Sequence, residues 1–343
     1  MPKKCDGLLV SAMILGIESS CDESALAIFD RVAGVVFEEI YSQIALHGEY
    51  GGVIPELAAR EHVKNFCQLF DDLKKHPSVD AIDSIAVTTE PGLPGCLALG
   101  RVAANALAVA LKRPVLKINH LHGHLFSPFI GLHRELGADF AGAFAAYLPH
   151  LSLLVSGGNT LLQIVRESGA IEVVGGTQDD AAGEAFDKGA KLLGLPYPGG
   201  HLVEELAKSG DEKRFKFPRA YYDAKEIKFS FSGLKTSLRY FLEKQSDVNF
   251  ERDRCDICAS YQAAIVDVLA KKTSQALAPM IRSLGLCGGV ANNSCLRERL
   301  GHLATSRGVP FFSPARQHSG DNAAMIAFAA FMGANGEIFS NFR

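Results

Sequence analysis

The sequence predicts an α/β protein in which one strand-rich unit occurs twice, with a cleft between the halves. Three observations carry that prediction. Short apolar strands alternate with helical periodicity along the chain, which implies a mostly parallel or mixed sheet covered by helices. A hairpin with a small-residue polar turn occurs near 14–29 and again near 151–165, as expected of a duplicated unit. The 343 residues are 48% apolar and 21% charged, enough for two globular cores.

The same composition sets limits on function. Disorder and a pure coiled coil are excluded. The longest unbroken apolar runs, at 140–148 and 325–332, fall short of the roughly 20 residues that cross a bilayer, so no membrane association is expected. A net charge of −3 supplies no global basic field, so any nucleic-acid contact is local or shared with a partner. Eight scattered cysteines with no secretory signal ahead of them fit a cytoplasmic protein. Cys255 and Cys258 form a CxxC pair, but no second pair stands at zinc-ribbon spacing, and they are read as two cysteines on a helix.

The elements follow in order. Residues 1–12 read as an extension outside the fold. Residues 14–18 and 25–29 are apolar strands around a polar turn, Ser19 to Ser24, and a helix covers 55–73. A buried strand at 84–88, a Gly/Pro turn, a small-residue helix at 96–111 and a strand at 115–118 come next. Residues 130–150 read as a loop or insertion that reshapes the cleft edge or a partner surface. Strands at 151–155 and 161–165 restart the pattern, and helices are expected over 179–193, 201–208, 233–244 and 253–280. A glycine turn at 288–293 leads into a helix from Ser294, and a last helix starts near Asn322. The lobes are accordingly drawn as 13–123 plus 318–343, and 124–317.

Five motifs offer chemistry. The turn Ser156-Gly157-Gly158-Asn159-Thr160 lies between two strands, where glycine amides and the two hydroxyls can face a phosphate. Asp180, Glu184, Asp187 and Lys188 fall within reach of one helix face, and Pro198-Gly199-Gly200 follows, open to close ligand approach. Gly288-Gly289 ahead of Asn293 resembles a nucleoside pocket, while Asp22 and Glu23 in the first turn are candidates to hold a cation. His120-Leu121-His122-Gly123-His124 is the sharpest signal: imidazoles at i and i+4 meet on one helix face, and Asp321 at the head of the last helix can complete a metal site. HExxH is absent, since Leu121 follows His120 and no Ser/His/Asp set is visible, which argues against a protease.

Together these segments resemble the TsaD/Kae family of tRNA N6-adenosine threonylcarbamoyltransferases, bacterial branch, once named for O-sialoglycoprotein endopeptidase activity. The matching blocks are 16–24, 51–58, 91–95, 120–124, 154–158, 179–188, 197–200, 229–236, 288–293 and 321–325, in order along the chain. The resemblance implies the ASKHA fold of actin, sugar kinases and Hsp70, with two ribonuclease-H-like lobes around a nucleotide cleft. It implies transfer of a threonylcarbamoyl group from threonylcarbamoyl-AMP to N6 of adenosine 37, in the anticodon loop of tRNAs that read codons beginning with A. The family's metal ligands fall on His120, His124 and Asp321, holding one divalent ion, iron before zinc. Its substrate contacts fall on Leu154, Val155, Ser156, Gly157, Gly158, Asp187, Gly200 and Asn293. Implied partners are a TsaB-like paralogous subunit, a TsaE-like ATPase and a separate threonylcarbamoyl-AMP synthase; the small-residue helix at 96–111 is the expected docking face. The chain departs from the family at His122, where Glu is usual, and at Asn159, where His is usual. His122 is expected near the ion without being a ligand, because i and i+2 residues point to different sides of a helix. Two other readings compete: a small-molecule carbamoyltransferase, which would need a large extra domain, and a non-catalytic ASKHA nucleotide-binding scaffold, which would have no need of a metal site.

Overall fold

The structure, a computed structural model, describes residues 13–333, so the extension read at 1–12 lies outside the described residues. The first half holds β1 (Met13–Glu18), β2 (Glu23–Asp30), β3 (Gly34–Ser42), α1 (Ile44–Gly48), α2 (Pro55–Leu73), β4 (Ile82–Glu90), α3 (Pro94–Leu111) and β5 (Val115–Asn119). Three short helices follow: α4 (His120–Phe126), α5 (Ile130–Leu136) and α6 (Phe140–Ala145). The second half holds β6 (His150–Val155), β7 (Thr160–Val165), β8 (Ile171–Thr177), α7 (Ala182–Leu192), α8 (Gly200–Ala207), β9 (Lys228–Phe229), α9 (Ser232–Leu242) and α10 (Asp247–Ala276). It ends with β10 (Ser283–Cys287), α11 (Ser294–Ser306), β11 (Phe311–Phe312) and α12 (Ala323–Phe331).

Both sheets are built alike. The first runs β3-β2-β1-β4-β5, and the second β11-β10-β6-β7-β8 with β9 added at its edge. In each, the first hairpin and its third strand are antiparallel, while the two later strands join the central one in parallel. Leu15 is flanked by Ile28 and Ile85, and its counterpart Leu153 by Leu162 and Leu286. The duplicated hairpin is therefore the start of two whole units of one topology.

Helices α2 and α3 cover one face of the first sheet through Phe66, Leu69 and Ala104. The other face packs on α12, which is apolar all round and buried along its whole length, as such a helix must be. The segment expected as a loop at 130–150 is instead α5, α6 and their turns. Phe129, Phe140 and Phe144 are fully or almost fully buried against α12 and Phe29, each such ring contributing on the order of 2–3 kcal/mol by burial. These helices are core rather than cleft edge; their shortness hides a helical period. Strands β3, β8, β9, β10 and β11 and helix α1 are additions to the expected elements, and β3 is hidden because its edge position mixes Glu38 and Glu39 into an apolar run. Helix α10 starts six residues earlier than expected and carries Cys255 and Cys258 as free thiols within it.

Among the described residues, one helix, Pro94–Leu111, reaches the length and apolarity of a bilayer span. It is docked in the fold: Cys96, Leu97, Gly100, Ala103 and Ala104 are its buried positions, against β4 and α2. Its outward side leaves Val102 64% and Val109 81% exposed, with Val63 of α2 52% exposed.

Candidate active site and metal centre

Two asparagines set up the histidine cluster and its distant acid. Asn119, at the end of β5, accepts the Leu121 N–H at 2.9 Å and caps α4, so that His120 opens the helix and His124 stands one turn on. Asn322 caps α12 by accepting the Met325 N–H at 2.8 Å, which places Asp321 just ahead of that helix. The two helices meet at Gly123, where an added Cβ would stand 2.9 Å from Ile326 Cδ1. That close approach brings His124 Nε2 within 3.0 Å and His120 Nε2 within 3.5 Å of Asp321 Oδ1. One ligand atom from each of the three lies within 4.8 Å of the others.

The surroundings favour a cation. Behind His120, Nδ1 meets the fully buried Glu18 carboxylate and the Ser20 hydroxyl, each at 3.2 Å, and Thr88 donates to the same carboxylate. Burial opposes a charge on His120, yet Asp321 and Glu18 raise it to about 9. Burial likewise works to neutralise Asp321, but His120 and the hydrogen bond from His124 hold it well below the usual carboxylate range. Two imidazoles and one carboxylate converging in a buried pocket, with a carboxylate behind one imidazole, fit a divalent transition metal with open positions. His124 Nδ1 has no hydrogen-bond partner among the described residues, so the outer support is one-sided. His122 lies outside the triad.

The glycine turn sits at the carboxyl end of β6. Leu154 and Val155 are fully buried, so only their backbone is available to a ligand. Ser156 N donates to Asn159 O and Ser156 Oγ accepts the Asn159 N–H, which closes the turn, while Gly157 and Gly158 are exposed with open space where a Cβ would be. Thr160 differs from expectation: it is buried, and its Oγ1 accepts the Ala182 N–H, capping α7 rather than facing the cleft. The expected charged face also splits. Lys188 pairs with Asp180 at 2.7 Å and Glu184 at 2.9 Å. Asp187 turns away and accepts the N–H groups of Gly199 and Gly200 at 2.9 and 3.0 Å. Burial raises Asp187, and those two amides act against the shift. Asn293 is largely engaged: its carbonyl caps α11 through the Leu296 N–H, and its amide donates to Gln262 at 2.8 Å. One N–H and one lone pair remain.

Asp22 and Glu23 close the cleft from the first half. Burial and the neighbouring Asp22 raise Glu23 well above the usual carboxylate range. Tyr197 stands in the sequence as one member of a matching block, with no role of its own. Its phenol is raised by burial and by the charges of Asp22 and Asp187, and its backbone carbonyl stands 3.3 Å from where a Cβ on Gly48 of α1 would be, so this segment meets the first half of the chain. Only the pairing of an aromatic with Pro-Gly-Gly could have signalled it.

This arrangement, two like sheets with a three-ligand centre at the heads of α4 and α12 and a glycine turn at the end of β6, is an ASKHA-type fold with a metal-competent centre. Solved structures agree on the fold. Component A of (R)-2-hydroxyglutaryl-CoA dehydratase from Acidaminococcus fermentans superposes with a TM-score of 0.54 at 15% identity, covering 94% of this chain and 99% of that one. Full-length HypF in its phosphate- and nucleotide-bound form gives 0.55 at 14% identity, covering 94% of this chain and 55% of that one. Residues 34–328 match the family model of TsaD, tRNA N6-adenosine threonylcarbamoyltransferase. The chain is 46% identical to the enzyme of that name from Dichelobacter nodosus over 324 residues, 94% of this chain and 91% of the relative. It is 42% identical to that of Thermotoga neapolitana, over 95% of each chain. The chain belongs to the TsaD family of tRNA N6-adenosine threonylcarbamoyltransferases, bacterial branch, and its activity is formation of threonylcarbamoyladenosine at position 37 of tRNA. Neither the small-molecule carbamoyltransferase nor the scaffold is favoured by these relatives.

Proposed function

We propose that His120, His124 and Asp321 hold one divalent ion, iron first and zinc second, and that threonylcarbamoyl-AMP lies between it and the Ser156 turn. The convergence of three ligand atoms within 4.8 Å carries this reading. When bound, the ion supplies Lewis acidity toward a donor oxygen. Gly157 and Gly158 present backbone amides, and Ser156 its hydroxyl, to phosphate or carbamoyl oxygens, and Leu154 and Val155 contribute backbone alone. Asp187, Gly200 and Asn293 hold the adenosine: the Gly199–Gly200 amides fix Asp187, and the free N–H of Asn293 meets the nucleoside. In the reaction, N6 of the tRNA adenine forms a bond to the carbamoyl carbon and gives up a proton to solvent, the bond from that carbon to the phosphate oxygen breaks, and AMP leaves. AMP is a good leaving group, so the residues chiefly align the amine and stabilise charge on the donor oxygens.

The acceptor is the unpaired adenosine 37 of an anticodon loop, a target suited to splaying out of a single strand. The described residues are drawn as lobes at 13–123 plus 318–333 and 124–317, with α5 and α6 packed across onto α12 and Phe29, and the enzyme works in the cytoplasm. The labile donor comes from a separate synthase, and a TsaE-like ATPase assists turnover. A TsaB-like paralogue docks on the outward side of α2 and α3, where Val63, Val102 and Val109 form an exposed apolar surface among small residues. The test is metal analysis paired with single-turnover transfer. A chain with one ion per subunit whose His124→Ala form loses both ion and transfer supports the reading; transfer that persists in metal-free His124→Ala contradicts it.

A further inference from the structure

We propose that the segment 213–244, at the outer edge of the second sheet, is the surface that grips the phosphate backbone of the tRNA. This rests on tRNA as the substrate and says where this net acidic chain holds it. Nine basic and three acidic side chains fall within 213–244, a local net of +6 in a chain of net −3. Lys213, Lys216, Lys225, Lys228 and Lys235 are all exposed. Among the described residues the segment's ion pairs belong to its arginines: Arg214 with Asp253 and Asp256, Arg219 with Asp267, and Arg239 with Glu243. The five lysines make none. Elsewhere among the described residues Lys64, Lys74, Lys75 and Lys208 each pair with an acid three residues earlier, while Lys112, Lys117 and Lys191 make no ion pair, so it is the clustering of five such lysines that marks this segment. Lysines without local carboxylates are those free to replace the counterions of a polyphosphate.

The two ends of the segment lie together. Phe215 and Phe217 pack on Phe241 of α9, with ring centroids 4.8 and 5.6 Å apart. Pro218 and Ala220 share a small pocket with Ser230 and Gly233. Lys228 is on β9 and Lys235 on the first turns of α9; near the end of α9 the exposed Tyr240 ring lies 5.1 Å from the Arg239 guanidinium carbon. An exposed aromatic beside a guanidinium, on a helix that also carries the unpaired Lys235, suits RNA better than a simple anion.

The patch is tied to the cleft through Asp179. That carboxylate accepts from the Ser230 hydroxyl, the Phe231 N–H and both the N–H and hydroxyl of Ser232, at 2.6 to 3.2 Å. Four residues on, Gly183 donates its N–H to Ser156 O at 3.2 Å. One short stretch of chain therefore joins the basic surface to the glycine turn. A stem held by its backbone on this surface would lead its loop toward the cleft.

The experiment is anisotropy with an unmodified anticodon stem-loop RNA across a salt series. The charge-reversal variant Lys216→Glu/Lys225→Glu/Lys228→Glu/Lys235→Glu is compared with Lys74→Glu/Lys75→Glu on α2, with an AMP-induced melting shift as the check on folding. The patch variant is expected to bind at least about tenfold more weakly, its log-log salt slope shallower by about 0.7 to 0.9 for each phosphate that is no longer neutralised. The α2 variant is expected to match the wild type. Equal affinity and slope for the patch variant, with wild-type transfer intact, overturns the proposal and leaves the transferase reading standing. A wild-type chain that yields no modified nucleoside overturns that reading, and this proposal with it.

Discussion

His124 and Asp321 stand 197 residues apart in the chain and 3.0 Å apart in the fold. The contact depends on α4 and α12 meeting at Gly123, because a Cβ there would lie 2.9 Å from Ile326 Cδ1 and 3.0 Å from Met325 Cγ. Gly123→Ala is therefore expected to push the helices apart, at a cost of roughly 1–3 kcal/mol as for other overpacked sites. Metal affinity should fall with stability, although no ligand is changed. Denaturant melts with metal titration check this; unchanged affinity would show that the helix contact does not set the centre.

The histidines of the cluster are expected to divide by role. His124→Ala should lose bound metal, while His122→Ala should retain it, because His122 is outside the triad. Metal analysis of the two purified variants decides the matter, and loss in His122→Ala with retention in His124→Ala would reverse the assignment.

The metal-stripped chain should show a pH signature. His120 is raised from 6.5 to about 9 by Asp321 and Glu18 against the pull of burial. A raised folded-state value means the stabilisation is fully present below pH 6.5 and is lost as pH rises through 9. Denaturation midpoints should fall over that window in the wild type and less so in His120→Gln. Equal slopes for both would remove His120 as the source.

Away from the cleft, Tyr261 tests the second core. Its hydroxyl donates to Ala185 O at 2.8 Å from a fully buried ring. Tyr261→Phe should cost about 1–3 kcal/mol, leaving a buried carbonyl short of a donor, with donor affinity unchanged. A change in donor affinity instead would give α10 a part in the site.

The docking proposal has an independent check. Val109 is 81% exposed, so Val109→Glu should leave the melting temperature of the isolated chain within experimental error. Binding to the paralogous subunit, followed by calorimetry, should weaken by more than tenfold, since burying an unpaired carboxylate is costly. Undiminished binding would move the interface elsewhere.

What is legible in the sequence depends on whether a signal is local. The two hairpins, α2, α3, and the His120–His124 spacing are patterns within a few residues, and they stand in the fold where expected. The edge strands β3 and β8 are partly exposed and mix charge into their apolar runs, so no strict alternation marks them. Helices α5 and α6 are six or seven residues long, too short for a period to show. In the site, Asp187 stands out in the sequence but on the wrong face, because its partners are backbone amides of Gly199 and Gly200 rather than side chains of its own helix. Thr160 and Asn293 attract notice for their hydroxyl and amide, and both prove to be helix caps, a use that residue type alone does not separate from ligand binding. Glu18 behind His120 and Tyr197 near α1 have no role that the sequence reveals, since each acts through segments far away along the chain.

The most direct test of the metal-centred transfer site is nucleoside mass spectrometry on unmodified tRNA incubated with this chain, threonylcarbamoyl-AMP and the partner subunits, beside a His120→Ala/His124→Ala control. Threonylcarbamoyladenosine that forms with the wild type and is absent with the control is the predicted result. Equal product from the two proteins would contradict a transfer site built on His120, His124 and Asp321.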